Sequence, residues 1–276
     1  MQEWNNTVSA SASTVSRTPI SEYVQSSEGS DSPIDSFYKG RNLILRDISP
    51  EIANGNSMLA ALSMVGFISL TENYFREVLA EIMAICPLAK VNAAEKSINL
   101  ATAWFGYEQI EKAAFENISF SNTDTIKKNF KAILSLTIES SNQIYQPLES
   151  FSELCELRHS VVHSAGFLSG KNAVKLKLPS SPSEVSVNID YDKLQEAAEV
   201  CTSLVCSSNL ELFKHIAKRW LHDWPREVVY ESSNMNESFK QLWSVFYSTV
   251  DENLGEIENN MTMIKTRNLI KRVNAA

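Results

Sequence analysis

The chain has 276 residues, 43% of them hydrophobic and 21% charged, with a formal net charge of −8. That length accommodates one large or two small domains with a core. The acidic balance argues against broad, sequence-blind nucleic-acid binding, which needs a wide basic surface, but leaves room for one local phosphate site. No apolar run reaches the length of a membrane span. Met1-Gln2-Glu3-Trp4 lacks the basic start and apolar stretch of a secretory signal, so a cytoplasmic protein with no membrane partner is expected. Cys86, Cys155, Cys201 and Cys206 have no metal-ligand spacing and read as buried, reduced thiols. No metal and no cofactor is expected.

In chain order, residues 1–40 are rich in Ser, Thr, Asn and Asp and read as a flexible N-terminal arm, with a short ordered segment expected near Ile44 and Leu45. A long helix starts at Asn56 or Ser57, either of which is a good N-cap. Cys86-Pro87 stops it, because the residue before proline disfavours helix. A second helical region covers 91–116, with Gly106 as a break. Thr123-Asp124 caps a third helix through about Ser140. Pro147 suits the first turn of a fourth, in which Phe151, Leu154, Leu157 and Val161 recur at helical spacing. Gly166 is its expected stop. Alternation in Val174–Leu178 and Val185–Ile189, with two prolines between them, predicts a small β-hairpin. Helices follow over 191–220 and 236–270. The fold class is an all-α helical bundle with one inserted hairpin. Residues 41–225 form the main domain and 226–276 a helical C-terminal extension.

Chemistry concentrates in the fourth helix. At 100° per residue, Leu154, Leu157, Val161 and Ala165 share one face, and His159 and His163 share a second, polar one. Arg158 falls at the edge of the apolar stripe, where a guanidinium is partly buried and needs a partner. Histidine moves protons near neutral pH, and arginine holds phosphate or developing negative charge. The same residues also fit a plainer arrangement, with the histidines facing solvent and Arg158 extending along the stripe edge. His215, His222, Trp220 and Trp224 read as structural. Lys171, Lys175 and Lys177 have two readings, as lining of a cleft or as the solvated face of the hairpin, and the second is preferred.

The stretch Leu154-Cys155-Glu156-Leu157-Arg158-His159-Ser160-Val161-Val162-His163-Ser164-Ala165-Gly166 resembles the signature of the HEPN superfamily: an arginine, four to six residues, then a histidine, with a polar residue after the arginine. Ser69-Leu70-Thr71-Glu72-Asn73-Tyr74-Phe75-Arg76 is similar to the acidic, aromatic stretch of many relatives. The hairpin and Lys218-Arg219-Trp220 resemble the stand-alone, nuclease-like branch found near RNA-ligase-linked and phage-defence systems. The resemblance covers about residues 41–225.

It implies a helical homodimer whose two motif helices face one another across a cleft. It further implies metal-independent RNA cleavage by ribose 2′-OH attack, with His163 as acid or base and Arg158 as transition-state stabiliser. His159 would bind or orient phosphate, and Glu72 would hold Arg158 or a histidine. The implied role is a toxin-like ribonuclease in antiviral or stress defence. The implied partners are an RNA substrate, with tRNA among the candidates, and an antitoxin or defence-system protein. Some relatives carry a tyrosine two residues after the histidine, which a partner nucleotidyltransferase modifies; Ala165 stands there, so that control route is not implied. Arg158 and His163 lie about 140° apart on a straight helix, so two chains are expected to contribute to one site. The alternative is a catalytically inactive, dimeric HEPN-like module that binds a protein or a nucleotide.

Overall fold

The computed structural model describes residues 16–25, 31–104, 110–227, 235–257 and 261–273. Residues 1–30 and 31–276 form two units. In the first, Ile20–Tyr23 makes a short 3-10 turn. Among the described residues of the second, the regular elements are helices, with one isolated antiparallel bridge.

The second unit begins with a helix that lies mostly inside the expected arm. α1 (Pro33–Asp47) carries Pro33 in its first turn, and Ser32 accepts from the Asp35 amide as N-cap. Ile34, Phe37 and Tyr38 recur at helical spacing and are buried. The arm therefore ends at the Ser32-Pro33 start signal rather than at residue 40. A short α2 (Pro50–Gly55) repeats the same Ser-Pro start.

α3 (Ser57–Ile85) begins at the expected cap, where the Asn56 side chain accepts from the Leu59 amide, and it stops at Cys86 before Pro87. This helix is long and apolar enough, by length and composition, to cross a membrane. That corrects the expectation of no such run. Its apolar side chains instead form the middle of the core: Met64, Phe67, Ile68, Phe75, Val78, Leu79 and Ile82 are fully buried. α1 and the helices Tyr145–His163, Tyr191–His222 and Met235–Phe246 pack around it.

α4 (Pro87–Ala93) and α5 (Ile110–Ala113) are short, with a 3-10 segment at Leu100–Trp104 between them. The expected break at Gly106 lies outside the described residues. α6 (Thr123–Leu134) is capped by Asn122 and ends at Ser135, whose φ is 50°. α7 (Tyr145–His163) is the motif helix. Beyond the six-residue α8 (Gly170–Lys175), α9 (Tyr191–His222) starts at an Asp190 cap and crosses both α3 and α7.

α10 (Met235–Phe246) buries Phe239, Leu242, Val245 and Phe246 in the same core, against α3 and α9. The 226–276 region is thus partly integral to the bundle. α11 (Thr249–Leu254) and α12 (Met263–Val273) follow it, with Leu254 and Ile264 exposed. Trp220 and Trp224 are buried, and the Trp220 indole donates to the Met235 carbonyl and Ser238 Oγ. All four cysteines are unpaired; three are buried and Cys206 is half-buried.

The β-hairpin is replaced by a helix. Val174 and Lys175 belong to α8, whose N-cap Ser169 accepts from the Asn172 amide. The Asn172 side chain then donates to the Glu156 carbonyl at 3.0 Å, fastening α8 to α7. A good local cap and a buried anchor outweigh a five-residue alternation that is only weakly strand-forming. Residues 185–187 do run extended, but beside 166–168: Leu168 N donates to Val185 O and Val187 N to Gly166 O, both at 2.8 Å.

α7 ends as expected, by left-handed backbone, but through two residues. Ala165 has φ 49° and Gly166 φ 92°, and the Gly166 amide returns to the Ser160 carbonyl at 3.0 Å. Only Gly166 is suited to this conformation. Gly166→Ala is expected to lower stability by about 1 kcal/mol and Ala165→Gly to raise or preserve it. Urea unfolding of both variants checks this pair of opposite signs; equal shifts would contradict it.

Candidate functional site

The buried face of α7 is centred on Leu148, Phe151 and Cys155, with Leu154 and Leu157 only partly buried. Val161 of the expected 154-157-161-165 face is buried and Ala165 is exposed, so the stripe matches that face only in part. Arg158 follows Cys155 by three positions and so leans over the core face. This explains its half-buried state and its fully buried Nε, which has no hydrogen-bond partner.

Arg158 opens into a cavity of about 650 Å³ framed by α6, α7 and α8. His159 shares this lining, as do four acidic and three further basic side chains. Two of those bases are engaged: Lys127 with Glu149 at 3.1 Å, and Lys175 with Glu156. Among the described residues Arg158 and Lys171 make no ion pair. The cavity is balanced in total charge, and Asp124 and Glu153 of its lining are likewise outside any ion pair among the described residues.

His163 lies outside the cavity lining, one turn beyond His159, and both rings are exposed. Their centroids are 4.7 Å apart, at 50°. The i,i+4 spacing thus produces a pair of touching imidazoles that continues from Arg158 toward the end of α7. In one chain the helix separates Arg158 from His163 and places His159 between them.

Glu72 is placed elsewhere. It is buried on α3, and its Oε2 accepts from Arg76 at 2.9 Å, one helical turn away. Its Oε1 is buried without a partner. It holds neither Arg158 nor a histidine; the nearer arginine on its own helix takes the carboxylate. The Cys155 thiol, between these layers, is pushed far above its ordinary range by burial, and by the nearby Cys201 and Glu72, which makes it a poor nucleophile. His215 is half-buried, with Nε2 2.8 Å from the Leu134 carbonyl. Burial lowers its pKa, as for a structural histidine.

Sequence reasoning missed Lys127, and for Lys171 and Lys175 it preferred a hairpin face over the cleft lining that they form. Nothing in the spacing of α6 relative to α7 showed that Lys127 would face the motif helix. The Ser169 cap ahead of Gly170-Lys171-Asn172 was the available signal for α8. Compared with family models, with curated protein sequences and with solved structures, the chain shows no match to any of the three.

Proposed function

We propose that the end of α7 is a phosphodiester-cleaving site, and that the protein is a metal-independent endoribonuclease of HEPN type acting as a homodimer. The observation that carries this reading is the Arg158 guanidinium, its Nε buried without a partner, at the rim of a polar cavity beside two imidazoles in contact. A buried donor without a partner is costly, and an anionic oxygen satisfies it best.

In the proposed reaction a neutral imidazole takes the proton of a ribose 2′-OH. The 2′-oxygen attacks the adjacent phosphorus, and the 5′-oxygen leaves with a proton from a second, protonated imidazole. The products are a 2′,3′-cyclic phosphate and a 5′-OH. Histidine is the side chain that supplies both protonation states near neutrality. Arg158 stabilises the charge that builds on the phosphoryl oxygens. The test is incubation of cellular RNA, tRNA included, with wild type and His163→Ala in EDTA. Ends carrying 2′,3′-cyclic phosphate from wild type alone are expected; equal or absent cleavage sinks the proposal. A toxin-like role in antiviral or stress defence, restrained by an antitoxin or defence-system partner, is the setting that fits such an activity.

The dimer is proposed because Arg158 and His163 point apart in one chain and because apolar side chains surround the motif helix end. Val162 and Phe167 are about half exposed, as are Met58 and Leu62 at the start of α3. The Met58 Cε lies 3.8 Å from where a side chain on Gly166 would begin, so the α3 and α7 groups adjoin. A second copy seated there would bring another His163 toward Arg158. Phe167→Glu is expected to yield monomers in analytical ultracentrifugation and to abolish cleavage. An active monomer would remove the dimeric part of the proposal.

A further inference from the structure

On another part of the bundle, α9, α10 and α11 enclose a cavity of about 420 Å³ with a different chemistry. Its aromatic walls are Phe213, Trp243, Phe246 and Tyr247, and its acidic groups are Asp251 and Glu256. The rings meet at steep angles. Phe213 is edge-on to Trp243 at 81° and 6.3 Å and stands at 64° to Phe246 at 5.8 Å. Trp243 in turn stacks on Tyr247 at 4.7 Å. Such a set borders the space with both ring faces and edges.

Among the described residues no Lys, Arg or His lines this cavity. Among the described residues none pairs with Asp251 or Glu256. Three neutral polar groups of the lining are already committed. The Asn209 amide donates to the Phe246 carbonyl and accepts from Tyr74, while Ser248 donates to Asp35. Cys206 is hydrogen-bonded to Tyr38. Asp251 also engages the Tyr38 hydroxyl, which leaves Glu256 and the ring surfaces to meet a ligand. The local field is negative as well: burial, followed by the neighbouring Glu252 and Asp35, pushes the Tyr247 phenol up to about 12.

We infer that this cavity binds a small organic cation, of the alkylammonium or quaternary ammonium class. Aromatic quadrupoles attract a cation over the ring face, and methylated ammonium gives up little hydration on entering. The carboxylates complete the charge balance, and the volume is that of a small-molecule site. An anion would meet uncompensated like charge here. The inference is independent of the RNA-cleaving site, which lies on α6–α8.

The full chain is titrated by calorimetry with choline and with its neutral isostere 3,3-dimethyl-1-butanol. Choline is expected to bind saturably and the isostere at least about tenfold more weakly. Trp243→Leu is expected to abolish choline binding. Because Trp243 also packs in the bundle, the surface-exposed Glu256→Gln and the half-buried Asp251→Asn are measured beside it, each expected to weaken choline several-fold with the melting temperature little changed. Equal binding of the isostere, no saturable binding of choline, or choline binding untouched by both acidic variants overturns the inference.

Discussion

Alanine in place of His163 is expected to slow RNA cleavage by about 10²–10⁴-fold, the usual worth of a positioned proton-transfer group. Arg158→Ala is expected to cost about 10²–10³-fold, comparable to loss of one preorganised donor to a developing oxyanion. Arg158→Lys should recover little, since an ammonium is a point charge without the planar fork that spans two phosphoryl oxygens. Both residues should be separable from stability. The His163 ring is exposed, and Arg158 brings a buried, unpartnered Nε that the fold is better without. The expected pattern is therefore lost cleavage with an unchanged or slightly raised melting temperature. Loss of both together would mean that Arg158 is structural, and full activity in either alanine variant would remove the site.

This separation also distinguishes the nuclease reading from an inactive binding module. A module that only holds a nucleotide would lose affinity in Arg158→Ala but show no cleavage in wild type. His159→Ala adds a further discrimination. His159 lines the cavity and touches His163, so its loss should weaken RNA binding and cleavage together. Loss of His163 should lower the rate alone.

Helices α3, α6, α7 and α9 were legible because their ends carry strong local signals. Asn56, Pro87, Gly166 and Asp190 each act on the backbone within one turn, so no tertiary information is needed to place them. The failures share a cause. α1 was hidden because Ser32-Pro33 follows a serine-rich stretch, although Ile34, Phe37 and Tyr38 already had helical spacing. α8 was read as a strand because alternation over five residues does not separate the two periods. Within α7 the expected stripe holds only in part: Phe151 and Val161 are buried, Leu157 is partly buried, and Cys155 joins the core. At the site, the contact between His159 and His163 follows from helix geometry and could be read directly. The partner of Glu72, and the lysines that α6 and α8 bring to Arg158, depend on how three helices pack, which the pattern of one chain does not encode.

The largest expected loss of stability from one polar side chain is at Asp35, which ties the first helix of the bundle to its C-terminal part. Its carboxylate is 2% exposed. It accepts from Ser248 Oγ at 2.8 Å, Thr249 Oγ1 at 2.6 Å, Thr249 N at 3.0 Å and Val250 N at 3.4 Å. Burial alone would raise this carboxyl, but the four donors outweigh it and hold its pKa below the ordinary 3.8. A folded-state pKa below the unfolded one means that the unfolded chain binds the proton more tightly. The contribution of Asp35 is therefore complete above about pH 4 and is lost as pH falls through the lowered value. Asp35→Ala strands two hydroxyls and two amides; Thr249 is near solvent and regains water, whereas Ser248 is buried. The expected cost at pH 7 is about 3 kcal/mol, within the range for breaking a buried hydrogen-bonded charge. For a chain of this size that is a fall of roughly 10 °C in melting temperature. In urea unfolding series the wild-type and variant curves should converge as the pH drops below 4. A difference that stayed constant down to pH 3 would show that the ionised carboxylate is not what holds α1 to α11.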